Sequence, residues 1–309
     1  MPTKRTQLIS ADQFSLACYG IRLQLTSPLT LPVYKGDRFH RAFGRALEQI
    51  SPRFGSDFFD PKPPADWPDP GQTPPKPFLL LPPMTAQTDF REGDILELGI
   101  TLFGQATQHL MTVFAALEKL GAADGIDKGT GRFQIQRVTQ INPSGVLELY
   151  SGDQSPDISR PTTAADIFLA APAAAASIEL HLLTPLRLKE RDRIVRRSPS
   201  LAVILERLLG RINTLAAMYC GGLMLPPEEK CALITLARTA SIETDNTQWR
   251  DWHRPAKSGG TVNFGGITGD IRYANVPAVL LPWLSLGQWT GVGGKTSFGL
   301  GRYSMEKET

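Results

Sequence analysis

The chain has 309 residues, room for two domains of ordinary size. Its 41% apolar and 20% charged residues exclude a disordered chain, and a net charge of only +3 excludes a global basic field, so any nucleic-acid site must be a local patch. Three cysteines (Cys18, Cys220, Cys231) without a CxxC pair exclude a disulfide framework and a spaced metal site, and no apolar run is long enough to span a bilayer. A cytoplasmic protein without membrane association is expected, the N-terminal residues lacking the apolar core of a signal peptide.

In chain order, residues 21–31 (IRLQLTSPLTL) alternate apolar and polar up to Pro28, the pattern of a half-buried strand that the proline ends or places at a sheet edge. Phe39, Ala42, Phe43, Ala46, Leu47 and Ile50 then recur at helical spacing, which predicts a helix with His40, Arg41, Gly44 and Arg45 on its exposed side and Tyr34 and Lys35 just before it. The proline-dense stretch Asp60–Pro83 reads as an extended surface excursion that is neither helix nor central strand. A strand is predicted over Ile95–Leu102 and a helix over Gln105–Leu120, in which His109 reads as structural. The glycine-rich loop GAADGIDKGTGRF (121–133) carries Asp124 and Asp127, which suit a structural role better than phosphate binding.

The second half repeats this order. Residues 178–188 (IELHLLTPLRL) match 21–31 without gaps at Ile, Leu, Leu, Pro, Leu and Leu, and GVGGKTSFGLGRY (291–303) mirrors 121–133 in its glycines, central lysine and closing Gly-Arg-aromatic. Two elements recurring at offsets of 157 and 170 argue for two copies of one fold. The expected domains are 1–155 and 177–309, joined by a linker at 156–176. Between the paired elements, Leu201 to Leu215 reads as a helix, Gly266–Tyr273 as a strand and Val276–Leu286 as a helix. Strand, helix, strands, helix, strand is the ferredoxin-like order, so the fold class is α+β with two tandem ferredoxin-like domains, each an antiparallel sheet with one open face. His181 alternates with Ile178, Leu180 and Leu182 and so faces away from them, in a structural role.

Several segments carry RNA chemistry. Arg187, Lys189, Arg191, Arg193, Arg196 and Arg197 make six cations against Glu190 and Asp192, a run suited to backbone phosphates. Trp252, His253, Arg254 and Lys257 interleave aromatic and basic groups as a single strand requires. The loop 291–301 is not a Walker A loop, since position 289 is Trp, but Lys295, Thr296, Ser297 and backbone N–H groups are placed to meet phosphates.

The segment GVGGKTSFGLGRY resembles the glycine-rich loop of the RAMP superfamily, above all that of the CRISPR-associated pre-crRNA-processing endoribonucleases, the Cas-six family. DWHRPAKSGGTVNFGGITGDIRY, LPVYKGDRFHRAFGRAL and EGDILELGITLFG resemble further family segments, although Pro255 and Ala256 interrupt the expected Ser-x-Arg-like continuation. The resemblance implies a CRISPR repeat RNA as substrate and the crRNA as retained product, with cleavage that needs no metal or other cofactor. It also implies a catalytic histidine near the first strand-to-helix junction, where His40 and Tyr34 lie. Without metal, the internal 2′-hydroxyl attacks and leaves a 2′,3′-cyclic phosphate and a 5′-hydroxyl, and imidazole is the natural proton carrier. His40, Tyr34 and His253 are the catalytic candidates. Lys35, Arg41, Arg45 and the basic residues above are the RNA-binding ones. The runner-up is a non-catalytic RNA-binding subunit of a CRISPR effector complex. Monomer and homodimer both remain open.

Overall fold

The computed structural model describes residues 7–63, 73–127, 129–152, 157, 160–255 and 261–308, leaving aside the side chains of Arg254, Pro255 and Glu308. The chain divides into two units. One comprises residues 15–163 with 218–220, the other 1–14, 164–217 and 221–309.

The first unit runs β1 (Ser15–Leu25), β2 (Leu29–Thr30), α1 (Gly36–Ile50), α2 (Pro52–Phe59), β3 (Phe78–Leu81), β4 (Asp89–Phe90), β5 (Ile95–Phe103), α3 (Leu110–Lys119), β6 (Phe133–Asn142), β7 (Gly145–Tyr150) and β8 (Thr162–Thr163). Its antiparallel sheet has the order β3-β5-β1-β6-β7, with β8 paired to β1. The odd positions of β1, from Ala17 to Leu25, are buried with Phe39, Phe43 and Leu47 of α1 and Val113 and Leu117 of α3. Each of the buried Leu, Ile, Val and Phe side chains among them contributes about 1.5–3 kcal/mol by leaving water. α1 covers the expected Phe39–Ile50 and begins earlier, at Gly36, while Ile50 at its end is exposed rather than in the core. The proline-dense stretch differs in part: Phe78–Leu81 forms β3, whose Phe78, Leu79 and Leu80 are buried. It takes the sheet's edge, the position that flanking prolines permit.

The second unit runs α4 (Ala164–Ala170), β9 (Ser177–Leu186), β10 (Lys189–Glu190), β11 (Arg193–Ile194), α5 (Leu201–Tyr219), α6 (Pro227–Ala237), β12 (Ser241–Arg250), β13 (His253–Pro255), β14 (Thr261–Asn263), β15 (Gly266–Ala274), α7 (Leu281–Thr290) and β16 (Ser304–Glu308). The antiparallel sheet order is β12-β15-β9-β16. The repeated strands β1 and β9 thus hold the same interior place, each flanked on both sides. Pro185 lies inside β9 rather than ending it, next to a register shift against β15, a place where the missing N–H is tolerated. The segment expected as a linker contains β8 and α4, and Phe168 of α4 packs edge-on against Trp283 of α7 at 4.9 Å. Chain start and C-terminal unit are joined by a bridge between Leu8 and Leu223.

Candidate nucleic-acid interface

The second glycine-rich loop is fixed by its own backbone. Gly291, Gly293, Gly299 and Gly301 have φ of 67°, 86°, 95° and 76°, a region costly for residues with a Cβ. Val292 N donates to Gly301 O at 2.9 Å, Gly294 N to Arg187 O at 2.9 Å and Gly301 N to Pro185 O at 3.0 Å. The loop is thereby sewn to the end of β9, and these amides are spent inside the protein. Thr296 and Ser297, expected to touch RNA, are buried in a short 3-10 turn at 6% and 8% exposure. The turn tucks them inward because Lys295 ahead of it and Gly299 behind it are both left-handed. Lys295 alone of the three stays half-exposed.

Lys295 leads to the centre of the site. Its Nζ lies 4.4 Å from the centroid of Phe264, whose ring meets Phe298 edge-on at 5.4 Å. Phe264 N donates to Trp252 O at 2.6 Å, and the next carbonyl, Gly265, accepts from Arg187 at 2.7 Å. A Cβ on Gly265 would stand 2.6 Å from the Asp251 carboxylate and 2.9 Å from the Trp249 ring, so both side chains close on bare backbone there. Trp249 in turn carries the Arg196 guanidinium 4.7 Å above its indole, a cation–π contact. The turn after β14 therefore gathers the glycine loop, the basic run and the aromatic strand at one place. Arg187 is held below its usual pKa first by burial and then by the charge of Arg196, with Asp251 opposing.

His253 opens β13 and pairs with Asn263 of β14, its side chain exposed. Trp252 beside it is half-buried. The Arg254 side chain and Lys257 lie outside the described residues. Lys189, Arg193, Arg196 and Arg197 are exposed. Trp249 and Phe264 were not singled out in the sequence, although the aromatic–basic alternation that marks Trp252 extends to both.

The open face of the C-terminal sheet is acidic rather than aromatic. His181 stands there as its alternation predicts, donating from Nδ1 to Asp270 at 2.9 Å with Glu306 3.5 Å from Nε2, and Arg272 pairs with Glu179 at 3.2 Å. The hydrogen bond to Asp270 raises the His181 pKa against the opposing effect of burial. Three carboxylates against one arginine and a histidine repel phosphate, whereas the cations Arg187, Arg196 and Lys295 gather at the loop end of the sheet.

In the N-terminal unit the structure corrects two expectations. His40 is buried at 7% exposure, not on a solvent face. α2 and β3 cover the outer side of α1, so the imidazole packs 5.0 Å from Phe59 and 6.0 Å from Phe78. Lys35 is buried at 1%, donating to Thr85 O at 2.7 Å and Val33 O at 3.2 Å, with its pKa lowered by burial. It ties a loop to the start of α1 and offers no exposed charge. Tyr34 is half-buried, and burial followed by the Asp37 charge pushes its phenol far above its usual pKa. Arg41 pairs with Asp37 at 2.9 Å, and Arg45 is exposed. In the first glycine loop, Asp127 pairs with Arg38 at 2.9 Å and Asp124 accepts from Gln49 at 2.8 Å, which anchors α1 as expected. His109 packs on Phe54 at 4.7 Å. Among the described residues no cluster of His, Cys, Asp and Glu could hold a metal, and no helix is long and apolar enough to cross a membrane.

Residues 14–163 match a family model described as an N-terminal domain, and residues 180–303 match that of the CRISPR-associated endoribonuclease Cas6. A search of curated proteins returns no match. Among solved structures, the fold is similar to a Cas6 product complex (20% identity, TM-score 0.61, covering 94% of this chain and 100% of that one). It is similar to a Thermus thermophilus Cas6 (19%, 0.58, 95% and 99%). It is also similar to part of a chain in a partial Cas6-RT-Cas1--Cas2 complex (16%, 0.61, 96% and 46%). The C-terminal unit, where the glycine loop, basic run and aromatic strand meet, is thus the part of the chain that matches the CRISPR-associated endoribonuclease Cas6 family.

Proposed function

We propose that the protein cleaves CRISPR repeat RNA by attack of the internal 2′-hydroxyl, leaving a 2′,3′-cyclic phosphate and a 5′-hydroxyl, and that each unit is a ferredoxin-like domain. The observation that carries the activity is the match of residues 180–303 to the Cas6 endoribonuclease family. The sheet orders support the fold, since in each unit the interior first strand lies between the third and fourth of a β-α-β-β-α-β series. Lys295, Arg187 and Arg196 gather around Phe264 and Trp249, the combination of cations and aromatic faces that holds an RNA strand. Proton transfer runs through His253, the exposed imidazole beside this surface, or through His40. Tyr34 serves as a hydrogen-bond donor to a phosphate oxygen. No step in this chemistry requires a metal.

The burial of His40 favours a second reading, a subunit that binds repeat RNA without cutting it. Incubation with the cognate repeat RNA in EDTA, beside the same RNA carrying one 2′-deoxy substitution at the cut, separates the two. Cleavage that the substitution blocks is expected. Tight binding without cleavage refutes the nuclease. Between the histidines, the alanine variant that loses cleavage while keeping RNA affinity identifies the proton carrier.

A further inference from the structure

The short strands β10 and β11 are joined by Arg191 and Asp192 alone, and both have positive φ, 46° and 62°. Two-residue hairpin turns with this backbone are normally Asn-Gly or Asp-Gly, and a side chain with a Cβ costs about 1–2 kcal/mol in this region. The turn keeps an arginine where a glycine would be easier. The hairpin walls a cleft of about 940 Å³ against the first turn of α5, lined by Arg191, Arg193, Arg196 and Arg197 with one carboxylate, Glu190. Four guanidinium groups and no lysine favour forked recognition of phosphate oxygens over a diffuse charge. The Arg196 guanidinium already lies 4.7 Å from the centroid of the Trp249 ring, so its ordering cost on binding is reduced. A volume of this order holds a group of the size of one nucleotide.

We propose that this cleft seats a backbone phosphate of a single-stranded stretch of the bound RNA, with Trp249 as the positioning residue that fixes Arg196. The proposal rests on the RNA-binding part of the reading above and not on cleavage. Trp249 touches no reacting group in it, and the seat adds Arg191, Arg193 and Arg197 to the Arg196–Trp249 pair of the surface described above.

The test uses the full chain and two probes, a labelled 12-residue oligouridylate and the cognate repeat RNA, with affinity measured across a salt series. Arg196→Ala is expected to weaken oligouridylate binding about tenfold and to lower the log–log salt slope by about 0.7, one single-strand phosphate contact. Arg191→Gly relieves the turn, so it melts no lower than the wild type yet binds oligouridylate more weakly. A purely structural role would not separate those two readouts. Trp249→Leu behaves like Arg196→Ala although no charge is removed, and Trp249→Phe retains the wild-type slope. Unchanged slopes in Arg196→Ala and Arg191→Gly overturn the proposal, even if the wild type cuts repeat RNA. Loss of repeat-RNA binding with oligouridylate binding intact overturns the single-strand assignment in favour of a duplex. Oligouridylate binding that depends on these residues in a wild type that never cuts repeat RNA upholds the seat and defeats the nuclease.

Discussion

Gly301→Ala and Gly294→Ala separate the structural from the binding role of the glycine loop. A Cβ on Gly301 would stand 1.9 Å from Val292 O, at a φ of 76°. The left-handed backbone alone costs about 1–2 kcal/mol with a side chain present. Relieving the clash moves the strands of the loop apart and strains the Val292–Gly301 and Gly301–Pro185 hydrogen bonds, each with a net worth of about 0.5–1.5 kcal/mol. The total is a destabilisation of about 2–5 kcal/mol. At Gly294 the nearest atom to a new Cβ is Arg187 O at 3.8 Å, an ordinary contact on an exposed residue, so Gly294→Ala is expected to stay within about 1 kcal/mol of the wild type. Urea unfolding of both variants, followed by tryptophan fluorescence, measures the difference. Equal stabilities would refute the account of the loop as a backbone clasp on the end of β9.

Two further outcomes follow from buried and half-buried charge. Lys35→Ala leaves the carbonyls of Val33 and Thr85 without their donor and opens a cavity at the start of α1, so it is expected to lower stability by about 2–4 kcal/mol while the salt slope for RNA binding is unchanged. Unaltered stability with a reduced slope would return Lys35 to the RNA surface. His181 has a folded-state pKa above its usual 6.5 because of Asp270. Its contribution is fully present below about pH 6.5 and is lost as pH rises through the folded value. Thermal midpoints should therefore fall as pH rises from 6 toward 8 in the wild type, and His181→Gln should flatten that decline. The same decline in His181→Gln would show that another group governs it.

The sequence by itself determined whatever depends on neighbours along the chain. The alternation in 21–31 and 178–188 marked the two interior strands, because a half-buried strand must alternate every second residue. The 3.6-residue spacing of Phe39 to Ile50 and of Leu201 to Leu215 marked α1 and α5, and the glycines of 291–301 marked backbone that turns where a Cβ does not fit. The tertiary structure alone decided which outward faces stay outward. A helical wheel leaves His40 in solvent, yet α2 and β3 arrive from later in the chain to cover it, and Lys35 finds its acceptor at Thr85, fifty residues away. The candidate site was legible only in pieces for the same reason. Arg187, Trp249, Phe264 and Lys295 come from four separate segments, and nothing local in any one of them encodes that the end of β9, the end of β12, the turn after β14 and the glycine loop meet. Their meeting is fixed by strand order and register, which hydrophobic burial selects for the whole unit at once.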